Sequence, residues 1–346
     1  MMKGFCKSSR ALLSVICCFI GIAGCGSISG GDLVIDLRKA PKDKNPISLL
    51  YDRIELIALD NLKKGAAFVP SLTKLSVTAD RFFFKCGDSI IVSYMNNGSF
   101  ADVLSPGKTI TDYSVYRDSI LDVLSDKEIL SYSLSDYSLK QSVTVDTPVE
   151  LTRIARHENV INISGYLDTQ QYICKYYFDK KYFGAAEGKI SNADIRRVIE
   201  NMSYFYSNDH LLALYPCSGR IWEYGDDFNY IFFDPDVKSN KDDVLEFRSA
   251  QVTDSKVYFS LLLNGEEHLV IIDRGNNKNI LIKTTKEGVH LPVGVIRDGV
   301  NYVLCTAADL PRHLTRDLLD SQCAESMDSV IKNNNNVVLK YYLSTP

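Results

Sequence analysis

Three features of this 346-residue sequence predict an all-β chain folded as a six-bladed β-propeller with a small helical insertion in the last blade. β-Branched and aromatic residues come in short runs split by Asn, Asp, Gly and Ser. A polar turn recurs at steps of about 40 residues. Helical periodicity is nearly absent before residue 309.

The repeat decides the architecture. Polar turns fall at Ala79-Asp80, Arg117-Asp118-Ser119, His157-Glu158-Asn159, Asn208-Asp209-His210, Thr253-Asp254-Ser255 and Arg297-Asp298-Gly299. Measured between acidic residues, the steps are 38, 40, 51, 45 and 44 residues, and the longest holds the polar insertion NADIRRVIENMS. A strand follows each turn (RFFFK, SILDVL, NVINIS, HLLALY, KVYFSLLL, GVNYVLC), then usually a second strand and a hairpin. The clearest hairpin is IIVSYM, Asn96-Asn97-Gly98, SFADVL, where Asn-Gly supplies positive φ for a tight turn. A unit of about 40 residues with four short strands has the size of one propeller blade.

The sixth unit departs from this plan. Leu310, Leu314, Leu318 and Met327 recur near helical spacing, so residues 309–332 are expected to form a helix before the final strand VVLKYYL. The early run RIELIALD, from Arg53 to Asp60, has no unit of its own. It is expected to pair with the terminal blade and close the ring, which removes exposed strand edges.

The amino terminus reads as an export signal. Lys3, Lys7 and Arg10 precede the apolar run ALLSVICCFIGIA, and Ile22-Ala23-Gly24 precede Cys25. At 13 residues the run is shorter than the roughly 20 a membrane-spanning helix requires. Cys17 and Cys18 lack the small preceding residue a lipid site needs, so Cys25 is the expected lipidation site, fixing the protein to a membrane. The expected organisation is a signal peptide over 1–24, a lipidated tether over 25–48 and the propeller over 49–346. The tether's only strand-forming stretch is Leu33 to Leu37.

Charge and cysteine usage narrow the function. Loss of residues 1–24 leaves 36 basic against 43 acidic residues, a net charge of about −7, which argues against nucleic acid as a partner. Cys86, Cys174, Cys217, Cys305 and Cys323 form no CxxC pair, so neither a zinc site nor a dense disulfide framework is expected, and most should be buried free thiols.

VIDLRKA and RIELIALD after the lipid cysteine, Asp80 or Asp118 before a blade strand, and SYFYSNDHLLALYPCSGRIWEYGDDFNYIFFD in the fourth unit together carry a resemblance. The chain resembles the six-bladed β-propeller lipoproteins of Bacteroidetes-type bacteria over nearly its whole length after Cys25. It departs from them at Asn336-Val337, where the family tends to have Asn-Pro. The resemblance implies an envelope-anchored propeller and carries over no catalytic motif.

The residues agree, since G-x-S-x-G, HExxH, P-loop and GxGxxG patterns are all absent. No catalytic residue, metal ligand or cofactor is assigned. The acidic stretch FFDPDVKSNKDD lacks EF-hand spacing and reads as a loop, and Trp222 reads as packing between blades. His290 precedes LPVGVI where an inter-blade connection should open on one face. Tyr166 and Tyr215 sit between second and third strands, whose connections share that face. With Arg153 these are the expected ligand-binding residues. The expected function is a non-catalytic binding or scaffolding propeller for a glycan, peptide or outer-membrane protein partner, lipid-anchored to the outer membrane and facing the periplasm. The alternative is a lyase or hydrolase on sugar or lactone substrates with a dispersed site at the channel mouth.

Overall fold

In a computed structural model of the chain, the residues described are 32–35, 44–60, 71–167, 170–179, 182–189, 204–207, 210–215, 220–224, 228–231, 245–275 and 279–344. Two strands come first, β1 (Asp32–Val34) and β2 (Tyr51–Ala58). Four antiparallel meanders follow with their strands in sequence order. The first is β3–β6 (Leu72–Val77, Arg81–Cys86, Ile90–Met95, Phe100–Leu104). The second is β7–β10 (Asp112–Tyr116, Ile120–Ser125, Glu128–Ser133, Leu139–Thr144). The third is β11–β14 (Glu150–His157, Val160–Leu167, Gln170–Tyr177, Tyr182–Lys189), and the fourth is β15–β18 (Tyr204–Ser207, His210–Tyr215, Arg220–Tyr224, Phe228–Ile231). A fifth, β19–β22, spans Leu245–Val252, Lys256–Leu263, Glu266–Asp273 and Asn279–Ile282. The last sheet joins β23 (Val295–Arg297), β24 (Val300–Cys305) and β25 (Val337–Leu343) to β2.

The sheets stack around an axis as a β-propeller. β7 touches both β3 and β11, β15 touches β11 and β19, and β23 touches β19 and β3. The expectation of six like four-stranded units needs correction. Five sheets have four strands, whereas the sheet of β15–β18 has five, because β1 pairs in parallel with β18 from Asp32 opposite Asn229 to Val34 opposite Ile231. The tether expectation changes with it. Ile35 is buried among Leu212, Ile221 and Phe247, so residues 32–35 belong to the fold. Apolar burial of Ile35 and ladder hydrogen bonds on an open strand edge favour docking over a free linker.

Where side chains are described, the middle strands of the sheets are buried on both faces and so read as near-continuous apolar runs. In β4, Phe82 and Phe84 pack toward Val338 of the last sheet, while Phe83 points the other way onto Tyr113 and Leu121. That is the period-two alternation of a strand, with a neighbouring blade on each side. Outer strands are wetter, as in β10, where most side chains are exposed.

Turn chemistry accounts for the recurring acidic residues. Arg117 and Asp118 both have positive φ, as do Asp298 and Gly299, the signature of two-residue hairpins matched to strand twist. At Asn96-Asn97-Gly98 only Gly98, at φ 88°, is left-handed. A Cβ there would lie 2.1 Å from the Ala58 carbonyl oxygen, so this turn docks against the end of β2.

β2 pairs antiparallel with β25, as RIELIALD predicts, with Leu56 opposite Leu339. The expected single helix over 309–332 is broken into α1 (Leu310–His313), a short 3-10 turn (Arg316–Leu318) and α2 (Ser321–Asn333). Leu314 and Thr315 are extended, which lets Leu310, Leu314 and Met327 all reach the core from different axes. Asp320 caps α2 by accepting the Cys323 N–H at 2.7 Å, and Asn334 ends it in the left-handed conformation. No helix among the described residues is long and apolar enough to cross a membrane.

Candidate functional site

The first strands β3, β7, β11, β19 and β23 line a central channel of about 1420 Å³. Arg153 projects from β11 into its wall. The strand has a bulge at Thr152, between the pairs Leu151–Gly165 and Arg153–Ser164. β3 has one at Lys74 and β19 one at Arg248. A bulge adds a residue to one strand and re-aims the side chains beside it. Three inner strands thus carry the same irregularity, and Lys74, Arg153 and Arg248 all line the channel.

Asp112 organises this wall. It is 2% exposed, takes the Lys74 ammonium on one oxygen at 2.7 Å and accepts the Ile154 N–H on the other at 3.0 Å, tying three blades together. The Lys74 ammonium also lies 5.2 Å from the centre of the Tyr113 ring. Burial, with nearby Arg153 and Lys85 adding repulsion, holds Lys74 below the ordinary lysine range despite Asp112. Lys85 bonds the Thr111 carbonyl at 3.2 Å and pairs with Asp88, whose carboxylate is 76% exposed. Among the described residues the Arg153 guanidinium makes one hydrogen bond, to the Thr152 carbonyl at 3.3 Å.

The other expected residues lie elsewhere. Tyr166 stands opposite Glu150 on β12, outside the channel lining, and its hydrogen bond to Glu150, with some burial, pushes the phenol up to about 12. His290 borders a separate cleft of about 40 Å³ with Glu267, His268 and His313, its Nδ1 lying 3.5 Å from the Glu267 carboxylate. Glu267 also pairs with Arg312 at 3.1 Å. His313 Nδ1 meets the His290 carbonyl at 3.1 Å, and burial holds this ring below the ordinary histidine range. The backbone of Tyr215 ends β16 and that of Trp222 lies in β17, while the side chains of both, Cys25 and the stretch FFDPDVKSNKDD lie outside the described residues.

Lys74 and Lys85 belong to adjacent strands of the first blade and Asp112 to the second, so no short motif joins them. A signal was nonetheless available: Lys74, Asp112 and Arg248 each stand six residues before the acidic residue of the next turn. Aligning repeats on that residue places all three at one height on the inner strand.

Three of the described thiols are shut away from solvent, and Cys323 on α2 is free and partly exposed. Cys86, Cys174 and Cys305 are free and buried, and burial pushes Cys174 and Cys305 up to about 12.

At the opposite mouth, Arg297 reaches across the first blade to Asp118, with two contacts of 2.6 Å, and also donates to the Val77 carbonyl. Arg297 holds the Asp118 carboxyl below its ordinary value. A folded-state value below the unfolded one gives stability that is present above about pH 4 and lost as pH falls through the folded value. Asp118→Asn is therefore expected to flatten the acid limb of the stability curve below that pH. At neutral pH it should cost about 1 kcal/mol, because both groups remain partly in water. Urea melts from pH 3 to pH 7 check this; parallel curves for the two proteins would refute it.

No family model matches the chain, and no curated protein matches it. Solved structures do match. A Bacteroides fragilis protein described as exported aligns with a TM-score of 0.60 at 12% identity, covering 91% of this chain and 100% of that one. BamB from Moraxella catarrhalis aligns with a TM-score of 0.42 at 12% identity over 68% of each chain. At 12% identity the first likeness speaks for the fold alone, and the sheets stacked around the channel make this chain a β-propeller.

Proposed function

We propose that the chain is a lipid-anchored envelope protein whose propeller binds a ligand at the channel mouth without turning it over. The five-stranded sheet completes the ring as a sixth blade, supported by the contacts of β15 with β11 on one side and β19 on the other. The observation that carries the binding reading is the open channel with Arg153 on its wall. Concave sites with a few convergent polar groups are where ligands bind. The export signal and Cys25 support anchoring on the periplasmic face of the outer membrane, with a glycan, peptide or envelope protein as the ligand.

The soluble chain from residue 26 is to be screened against glycan and peptide arrays beside Arg248→Trp, which fills the channel mouth. Ligands retained by the parent and lost in the variant are expected; equal retention by both would overturn the channel as the site. Labelling with an alkyne fatty acid should be lost in Cys25→Ala, and labelling that persisted would remove the anchor. One observation supports a lyase or hydrolase instead. Glu267, Arg312 and His313 line the channel edge beside His290, a carboxylate, a cation and imidazoles in one cluster. Turnover of a sugar or lactone by the parent and its loss in His313→Ala would establish that reading.

A further inference from the structure

We infer that the wall built by β3, β7 and β11 binds an oxyanion of the ligand (a carboxylate, sulfate or phosphate), with Arg153 as its primary contact and Lys74 and Lys85 flanking it. This rests on the binding reading above and names the chemistry the channel selects.

The wall is short of negative charge. Guanidinium carries five N–H donors in a planar fork, and Arg153 directs one of them to its own chain while meeting no carboxylate among the described residues. Asp112, the one buried carboxylate nearby, has an oxygen on Lys74 and an oxygen on the Ile154 N–H. Asp88 neutralises Lys85 poorly because it stands largely in water. The imbalance extends along the channel, where the described lining holds seven basic and five acidic side chains, although the whole chain carries a net charge of −4. A basic cleft in an acidic protein concentrates anions, because low-dielectric walls focus the field. The depressed lysine agrees with this, since an anion between Lys74 and Arg153 would relieve their mutual repulsion. Arg153 offers a carboxylate or phosphate the paired donors that such oxyanions match.

The test is calorimetric titration of the soluble chain with trigalacturonate, a sulfated trisaccharide, inorganic phosphate and neutral maltotriose, at low and high salt. The expected result is binding of at least one anionic probe, weakened by salt, with maltotriose inert. Arg153→Gln should weaken it about tenfold or more, the loss of a charge-assisted contact, and Arg153→Lys by less. Thermal melts show that each variant is folded, and Lys283→Gln, far from the wall, serves as the unchanged control. Which anion binds identifies the source as a uronate, a sulfated sugar or a phosphate. Binding of maltotriose that Arg153→Gln leaves untouched overturns the inference and keeps the channel as a binding site. Silence from all four probes overturns the inference, and if hydrogen exchange on β3, β7 and β11 is also unchanged by every array ligand, the binding reading falls with it.

Discussion

Asp122→Ala is expected to cost about 3–5 kcal/mol, the loss seen when one partner of a buried ion pair is removed. Asp122 is fully buried on β8 and accepts Arg156 Nε at 2.5 Å and Nη2 at 2.6 Å, while Ser131 donates to it at 2.5 Å. The guanidinium sits between the Phe178 ring at 4.4 Å and the Tyr116 ring at 5.9 Å. Water is therefore excluded from both charges. With Asp122 gone, the Arg156 guanidinium keeps, among the described residues, one hydrogen bond, to Ser131 at 3.1 Å, and carries an uncompensated charge in the seam between two blades. The double variant Asp122→Leu with Arg156→Met should recover most of the loss, because well-packed apolar replacements remove the desolvation cost along with the attraction. Guanidinium melts of the two variants and the parent check both statements. An Asp122→Ala loss under about 1 kcal/mol would mean that water reaches the pair.

Removal of residues 1–60 is expected to abolish folding of the isolated chain. β2 is the outer strand of the last blade, and its loss strips Tyr51, Ile54 and Leu56 from the largest core cluster. At roughly 1.5–3 kcal/mol for each large apolar side chain, that is about 5–9 kcal/mol. It compares with a total stability of about 5–15 kcal/mol for a typical domain. Tyr51 also stacks on Tyr341 at 4.9 Å between ring centres, and its hydroxyl accepts from the Asn301 amide at 3.4 Å, so buried polar groups lose a partner as well. A peptide of residues 44–60 added in trans should restore protease resistance and circular dichroism, since it supplies the missing ladder opposite β25. A truncated chain that melted cooperatively near the parent's temperature would show that closure of the ring contributes little.

The candidate site was legible in the sequence only in part. Of the four expected residues, Arg153 lines the channel, while Tyr166 and His290 occupy other surroundings. The alternation that reveals a strand names its two faces. In this fold each face of a sheet meets another blade, so alternation does not distinguish the channel from the seams. Position along the blade radius does, and that depends on which strand of the repeat is innermost. The bulges at Lys74, Thr152 and Arg248 shift the alternation once more, by one residue, where the channel begins.

By itself the sequence determined the local grammar: short strands, acidic and glycine turns demanding positive φ, a repeat near 40 residues, and an early strand without a unit that must pair with the end of the chain. These are properties of neighbouring residues, and steric and hydrogen-bonding rules act on them directly. The tertiary structure alone decided that β1 docks in parallel on β18, that the final helix breaks so that three apolar side chains reach the core, that Arg156 meets Asp122, and that Asp112 gathers Lys74 and Ile154 from two other blades. The two charge clusters join residues from different repeats, and β1 meets a strand far from it in the chain. Their free energy comes from water excluded between blades, which no single stretch of chain can express before the ring has closed.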